Sequence, residues 1–379
     1  MMDNPFFRKA KQLLQRLSHN GFEAYIVGGA VRDYLLKKNC SDIDIVTSAT
    51  PEQIQQLYPQ SFQMNTAHQT VIVRVDSLNY EMTTMRGCSI EEDLSKRDLT
   101  INSMAMDATG KIIDPCKGQV DLKNQLLRSY YPEIRIEEDP LRLLRIARFM
   151  SQLGYQIDQA LEQAVYAHAP MLRFVATERF AKEWLKTLQG PHVLVALQLI
   201  QSSKLYRYMT GFHLTKDQLE HLMSLPLSQK ESDILTWSTF SLVHHPPSSS
   251  YLRKLAVSSE VRRQVKVRLE WYEKRKTERW NPTSLFDATL SVVLDVETLR
   301  KKMQLPTMSG EGLEKTWESL PIHRRSELAI NGHDLMENGR SPGRWINDAL
   351  RQAELAVINR KCINEKSQLL KWLEGRMFI

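Results

Sequence analysis

Residues 23–46 read EAYIVGGAVRDYLLKKNCSDIDIV, and this stretch decides the fold. EAYIV (23–27) is a strand running into Gly28-Gly29 and then into a helix that continues through Leu36. Glycines after a strand let the backbone come close to a ligand, and the helix that follows aims free N–H groups at an anion. A Gly-Gly turn alone is equally a tight strand-to-helix connection. DIDIV (42–46) is a second strand, with Asp42 and Asp44 on one face and Ile43 and Ile45 on the other. Two solvated aspartates usually do nothing, but two on one face of an otherwise apolar strand are costly unless they bind a cation. Mg²⁺ held by one or two carboxylates plus substrate phosphates suits this pattern. A phosphate cradle at Gly28, Gly29 and Arg32 beside a metal pair at Asp42 and Asp44 predicts nucleotidyl or phosphoryl transfer.

Outward from this stretch the chain continues as α+β with a small mixed sheet. Residues 3–20 carry Phe6, Leu13, Leu14 and Leu17 near a period of 3.6 and read as an amphipathic helix. Thr50-Pro51 is an N-cap followed by proline at the first helical position, opening a helix to about Leu57. QTVIVRV (69–75) alternates, and NYEMTTMR (79–86) reads as its antiparallel partner. NSMAMD (102–107) and KIID (111–114) add two short strands. After about residue 136 strand signals vanish and helical periodicity runs to the C-terminus. Turns are expected at Gly154, Gly190, 245–250 (HPPSSS), 281–283, 305–311 and 339–343, with no internal repeat.

Composition sets bounds on this reading. Of 379 residues, 42% are hydrophobic and 25% charged, enough apolar content for a sizeable core. Mean hydropathy is −0.39, and no run approaches the ~20 apolar residues of a membrane span. Residues 1–17 hold no apolar segment of the secretory kind, so a cytoplasmic location is expected. Four scattered cysteines argue against a disulfide framework or a structural zinc. The net charge of +7 is unevenly placed. Residues 1–150 hold 19 basic and 19 acidic side chains, leaving 32 and 25 for the rest. A neutral first part and a basic remainder suggest chemistry first and a polyanion grip second.

GGAVRDYLL (28–36) followed by DIDIVTSATPEQI (42–54) resembles the opening motif of the class II tRNA nucleotidyltransferases, the CCA-adding enzymes, and of bacterial poly(A) polymerases. The head of these proteins is similar to DNA polymerase β. The resemblance continues through KRDLTINSMAMD (96–107), IDPCKGQVDL (113–122), EDPLRLLRIARF (138–149), TERFAKEW (177–184), INGHDL (330–335) and SPGRWI (341–346), in order and over nearly the whole chain. It implies a nucleotidyltransferase head at 1–136, then a helical neck at 137–205, body at 206–305 and tail at 306–379. It also implies tRNA, CTP and ATP as partners.

Residue by residue, the resemblance gives Arg97 to the nucleotide and Asn102 to the sugar or local scaffold; the bland reading of KRDLTIN is a solvated charged turn. Lys96 stands where the family usually has a first arginine, which keeps charge but loses the planar fork, so it receives no role. Asp139 before Pro140 could be only an N-cap, and Arg142, Arg145 and Arg148 could be a solvated stripe. The family instead uses the matching Asp and Arg to hydrogen-bond the base edge of CTP or ATP. A carboxylate accepts from the exocyclic amine that C and A share, and U and G carry a carbonyl there. At i and i+3, Asp139 and Arg142 are expected on one helix face, with Arg145 and Arg148 meeting triphosphate. Glu81 is either a third carboxylate or a surface residue. Glu178, Arg179 and Glu183 are expected to brace the nucleotide-binding helix.

His333-Asp334 lacks the further ligands that a phosphohydrolase dyad needs. Residues 253–279 hold ten basic side chains against four glutamates, including Arg262, Arg263, Lys266, Arg268, Lys274, Arg275 and Lys276, with Trp271 and Tyr272 interleaved. They are either a solvated face or a phosphate-contacting one. The reading as a whole is template-independent addition and repair of the tRNA 3′-terminal CCA. The alternatives are a poly(A) polymerase, a CC-only or A-only enzyme, and an inactive RNA-binding relative. The oligomeric state stays open, a homodimer included.

Overall fold

The computed structural model describes residues 5–38, 40, 42–65, 70–76, 78–227, 231–244, 248–336 and 341–376. Residues 3–4 of the expected first helix, 69 of the strand at 69–75, 245–247 of HPPSSS and 339–340 of the last turn lie outside them. The chain divides into two compact units, Met1–Leu219 and Glu220–Ile379.

In the first unit, α1 (Pro5–His19) buries Leu13, Leu14 and Leu17 as expected, with Phe7 and Ala10 beside them, while Phe6 is only half-buried. β1 (Ala24–Val27), α2 (Gly29–Leu35), β2 (Ile43–Thr47) and α3 (Pro51–Leu57) follow. Thr50 and Gln53 form a reciprocal capping box at the start of α3. Next come β3 (Phe62–Asn65), β4 (Thr70–Val75), β5 (Leu78–Thr84), α4 (Ile90–Ser95), β6 (Ala105–Met106) and β7 (Ile112–Ile113). The seven strands form one sheet in the order β3-β4-β5-β2-β1-β6-β7. Only β2 with β5 is a parallel pair, so the sheet is mixed, as expected. The sequence did not announce β3: FQMN barely alternates, and its register on β4 shifts between Gln63 and Asn65.

The two-residue period of a strand decides what each face does. Ile43 and Ile45 join Ile26, Val71, Val73, Tyr80 and Met82 in the main core, together with the apolar residues of α1, α2 and α3. Burying each such aliphatic side chain contributes about 1.5–3 kcal/mol. Asp44 and Val46 face the other way. There Val27, Ala105 and the α4 residues Ile90 and Leu94 form a small cluster with Val46, with half-buried Tyr25, Met85 and Ile113 packed against it. The six residues of α4 cover part of that face, and Asp44 stays exposed.

Beyond the sheet lie α5 (Gly118–Lys123), β8 (Leu126–Leu127), α6 (Pro132–Glu138), α7 (Leu141–Leu153), β9 (Gln156–Ile157), α8 (Gln159–His168), α9 (Thr177–Leu188) and α10 (Val193–Ser202). β9 pairs in parallel with β8, a two-residue strand in a region where no strand was expected. Gly118 is required by closeness: a Cβ there would lie 2.2 Å from the carbonyl oxygen of Thr100. Asp121 of α5, fully buried, accepts from Thr100 Oγ1 at 2.6 Å and from Arg128 at 2.7 and 3.0 Å. IDPCKGQVDL thus fixes the turn at residues 100–102. α7 packs on α9 and α10, with Ser151 Oγ donating to the Thr187 carbonyl at 2.6 Å.

α11 (Lys216–Ser224) runs across the boundary between the units. The second unit holds α12 (Asp233–Leu242), α13 (Tyr251–Lys254), α14 (Ser259–Lys274), α15 (Pro282–Ala288), α16 (Leu290–Lys302), α17 (Gly310–Glu318), α18 (Gly332–Met336), α19 (Arg344–Ile358) and α20 (Lys366–Glu374). No strand occurs among its described residues. Trp237, Phe240 and Tyr251 form an aromatic cluster, and Arg268–Asp295 and Arg275–Glu297 are inward ion pairs. Among the described residues no helix is long and apolar enough to cross a membrane.

Candidate active site

Gly28 ends β1 and caps α2 with φ 71°, in the left-handed region that favours glycine. A Cβ there would come 3.2 Å from Arg97 Nη1 and 3.7 Å from Asp44 Oδ2. The missing side chain therefore keeps open the space between a guanidinium and a carboxylate. A Cβ on Gly29 would face the Arg32 guanidinium at 3.5 Å. Asp42, one residue ahead of β2, and Asp44 are exposed while Ile43 and Ile45 are buried, as the alternation predicts.

Asp44 is registered against Val27 on one side and Glu81 on the other. Asp44 keeps surface open to solvent, yet the protein around its carboxyl displaces enough water to push it up; Arg97 opposes this, Asp42 adds to it and Arg145 opposes it. Burial, then Asp44 and Asp42, push Glu81 up as well. Among the described residues none of these three carboxylates has an ion pair or side-chain hydrogen bond. No group of three or more His, Cys, Asp or Glu among the described residues is arranged to hold a metal. Asp42 and Asp44 repel each other, and Arg97 and Arg145 act on Asp44 only through space, so the pair fits a divalent cation that completes its shell with phosphate and water oxygens.

Arg97 is aimed by a residue the sequence reading passed over. Asp93, fully buried at the centre of α4, accepts from Arg97 Nε and Nη2 at 3.1 and 3.0 Å through one oxygen. Its other oxygen accepts from Arg86 N and Nε, both at 3.1 Å. Burial would raise this carboxyl, but Arg97 and Arg86 outweigh it and hold it low. The i,i+4 spacing of Asp93 and Arg97 was the available signal. A cavity of about 260 Å³ beside Asp44 is lined by Glu81, Thr83, Arg86, Asp93 and Arg97.

KRDLTIN is not a solvated turn. Asp98 and Asn102 are buried at 9% and 5% exposure. Arg32 Nη1 donates to Asn102 Oδ1 at 2.7 Å, and Asn102 Nδ2 donates to Asp98 at 3.3 Å. Arg145 reaches the other Asp98 oxygen with Nε at 2.8 Å and Nη2 at 2.6 Å. Burial alone would raise the Asp98 carboxyl; the Arg145 charge and the donors of Arg145, Asn102 and Leu99 hold it far below the usual range. Arg145 lies 3.8 Å from Glu183, which accepts from Arg148 Nη1 at 3.0 Å. The ring of Phe149 sits beneath Arg32, Arg145 and Arg148, at 5.2, 5.7 and 4.2 Å. Nothing in a lone phenylalanine at the end of an arginine stripe announces this. Arg148, expected to meet triphosphate, instead stands behind Arg145, 8% exposed, its pKa lowered to about 10 by burial against the pull of Glu183.

At the start of α7 the expected geometry needs one correction. Asp139 and Arg142 do not share a helix face, because Asp139 is extended (φ −149°, ψ 96°) and α7 begins at Leu141. A residue before proline is pushed out of the helical region, and Pro140 does so here. Asp139 Oδ1 accepts from Leu141 N at 3.2 Å, as a helix cap does. Both its oxygens also accept from Arg179 of α9, at 3.2 and 2.7 Å. Arg142 Nη2 donates to the Lys96 carbonyl at 3.1 Å, and burial lowers its pKa. Lys96 itself pairs with Glu92 at 2.7 Å.

Two other features resolve structurally. Asp334 accepts from Asn331 N at 2.7 Å and pairs with Lys366 at 2.6 Å, so His333-Asp334 is a helix start. Within 253–279, Arg268 and Arg275 are buried, on Asp295 and Glu297. Arg253, Arg262, Arg263 and Lys266 instead line a surface hollow of about 540 Å³ with three serines.

Known proteins share this architecture along the whole chain. The poly A polymerase head domain matches residues 24–128, the probable RNA and SrmB-binding site of polymerase A matches 154–212, and a putative tRNA nucleotidyltransferase domain 2 matches 228–373. The chain is 39% identical over 364 positions to the CC-adding tRNA nucleotidyltransferase of Shouchella clausii, covering 96% of each. It is 35% identical over 388 positions to the CCA-adding enzyme of Anoxybacillus flavithermus, covering 97% of each. That second alignment exceeds the 379 residues of this chain, so the relative holds residues this chain lacks. The crystal structure of Bacillus stearothermophilus CCA-adding enzyme in complex with CTP superposes with a TM-score of 0.87 at 34% identity, over 98% of each chain. Matches of this identity over the full length place the chain in the tRNA nucleotidyltransferase/poly(A) polymerase family, whose chemistry implies a divalent metal cation.

Proposed function

We propose that this chain adds and repairs the 3′-terminal CCA of tRNA, taking C from CTP and A from ATP without a nucleic-acid template and releasing pyrophosphate. One observation carries the reading: an open carboxylate edge, the gap between Gly28 and Arg97 and the start of α7 lie in one compact unit, where Arg145 of α7 bonds Asp98, the neighbour of Arg97. Asp42 and Asp44 would hold Mg²⁺, which would supply activation of the attacking 3′ hydroxyl and charge stabilisation for the pyrophosphate leaving group. Gly28 and Gly29 admit the triphosphate, and Arg32, Arg97 and Arg145 meet its charge. Asn102 orients the sugar. Asp139 and Arg142 read the base edge, and Arg148 serves the nucleotide site by holding Glu183 and Phe149 behind Arg145.

The same reading divides the chain into a head at 1–136, a neck at 137–205, a body at 206–305 and a tRNA-binding tail at 306–379. The head match at 24–128 and the RNA-binding match at 154–212 support the first division. The cytoplasm, where tRNA is processed, is the proposed location.

A second reading, in which the chain adds the two cytidines and stops, is favoured by the alignments. Identity is higher to the CC-adding relative, with which the alignment needs no excess length, than to the CCA-adding one. Labelled CTP and ATP offered to a tRNA lacking its CCA end separate the two. Three added nucleotides support the first reading, two support the second, and none contradicts both.

A further inference from the structure

Asp139 is held on three sides, and the holding leaves it little freedom. Its Oδ1 accepts from Leu141 N and from Arg179 Nη1, each at 3.2 Å; its Oδ2 accepts from Arg179 Nη2 at 2.7 Å. A carboxylate oxygen offers about two acceptor directions. Oδ1 is therefore saturated, and Oδ2 keeps one direction open. The planar fork of Arg179 and the backbone N–H of Leu141 together fix both the rotation of the carboxylate and the oxygen left available.

The pair does little for stability. The Arg179 and Asp139 side chains are 52% and 29% exposed, and exposed ion pairs contribute between about 0 and 1 kcal/mol. Arg179 is nevertheless placed with care: one turn further along α9, Glu183 accepts from Arg148 and faces Arg145. The helix thus sets the residue proposed to read the base and the arginine proposed to meet the phosphates from a single rigid edge.

We propose that Arg179 is a positioning residue that sets nucleotide specificity: it presents one oxygen of Asp139, in one orientation, to the exocyclic amine of the incoming base. This rests on the base-reading role proposed for Asp139. An unrestrained carboxylate could rotate to pair through either oxygen, directly or through water, and tolerate a base whose edge offers a carbonyl.

The test compares single-nucleotide incorporation from CTP and UTP by wild type, Arg179→Ala, Arg179→Lys and Asp139→Ala on tRNA lacking its CCA end. Arg179→Ala is expected to lower CTP-over-UTP discrimination about tenfold, as expected when a bidentate base pairing is degraded. The CTP KM should rise while tRNA affinity and melting temperature stay near wild type. Arg179→Lys, with the charge but not the fork, should recover part of the discrimination. Unchanged discrimination in Arg179→Ala overturns the proposal, and so does a loss that appears only together with a lowered melting temperature. Asp139→Ala separates the two residues' roles. Unchanged selectivity there contradicts base reading by Asp139 itself, whereas relaxed selectivity there with none in Arg179→Ala contradicts only the part given to Arg179.

Discussion

Asp44 and Glu81 lie side by side on β2 and β5; lost hydration pushes both up, Asp42 adds to it at Asp44, and Asp44 and Asp42 add to it at Glu81. Removing one carboxylate from such a cluster relieves repulsion, so Asp42→Ala and Asp44→Ala should fold and bind tRNA as wild type does. Their nucleotide incorporation should fall below about a tenth of the wild-type rate, because in the function proposed each would be a metal ligand; a filter-binding assay beside a rate measurement checks both halves. Gly28→Ala should act differently. Its Cβ would sit 3.2 Å from Arg97 Nη1 at a φ of 71°, costing about 1 kcal/mol of backbone strain and crowding the guanidinium. The nucleotide KM should rise more than kcat falls. Among single residues the sequence was most legible where period-two alternation exposed Asp42 and Asp44. It was least legible at Asp98 and Phe149, whose surroundings come from segments 47 residues away or from three separate arginines.

α7 begins one residue past a proline, and that single residue moves Asp139 off the helix and into reach of α9. Helical spacing read from sequence could not show this, although the rule for a residue before proline was available. Among the links between elements, the bond from α7 back to KRDLTIN joins Arg145 to a buried carboxylate. Asp98→Ala leaves Arg145 charged and without its main partner, for which a cost of about 3–5 kcal/mol is expected. Chemical denaturation should show the midpoint falling with an unchanged slope. The pH dependence has a definite sign. Arg145 holds the Asp98 carboxyl below its ordinary value, so its contribution is complete above the unfolded pKa of about 4 and is lost as pH falls toward the folded value. Wild type should therefore lose stability below about pH 4, and Asp98→Asn should lose less over the same interval. Equal acid sensitivity would mean that other carboxylates dominate. The short strands β3 and β9 were invisible because two to four residues carry too little pattern to register.

The whole molecule carries its net charge of +7 in its later part, and the structure sorts that charge into two kinds. Arg268 and Arg275 are buried in ion pairs, whereas Arg253, Arg262, Arg263 and Lys266 line an open hollow. Counting basic residues could not separate them, because buried Arg268 shares α14 with Arg262, Arg263 and Lys266. If the open group meets tRNA phosphates, neutralising all four should flatten the log–log salt dependence of tRNA binding by up to about one unit for each phosphate no longer paired. Arg268→Gln should instead lower stability and leave that slope alone. An unchanged slope in the fourfold variant would place the grip elsewhere. The fold class was legible throughout, since the change from alternating to helical periodicity near residue 136 marks where the sheet gives way to helices.

In the function proposed, choice of nucleotide without a nucleic-acid template rests on Asp139. It is probed by incorporation from CTP, ATP, UTP and GTP, each offered separately, by wild type and Asp139→Asn on tRNA lacking its CCA end. Wild type should use CTP and reject UTP and GTP. Asp139→Asn keeps a cap oxygen for Leu141 N but replaces an acceptor-only carboxylate with an amide that also donates. Its discrimination against UTP should therefore fall by about tenfold, with melting temperature nearly unchanged. Selectivity equal to wild type in Asp139→Asn would reduce Asp139 to a helix cap and contradict base reading by the protein.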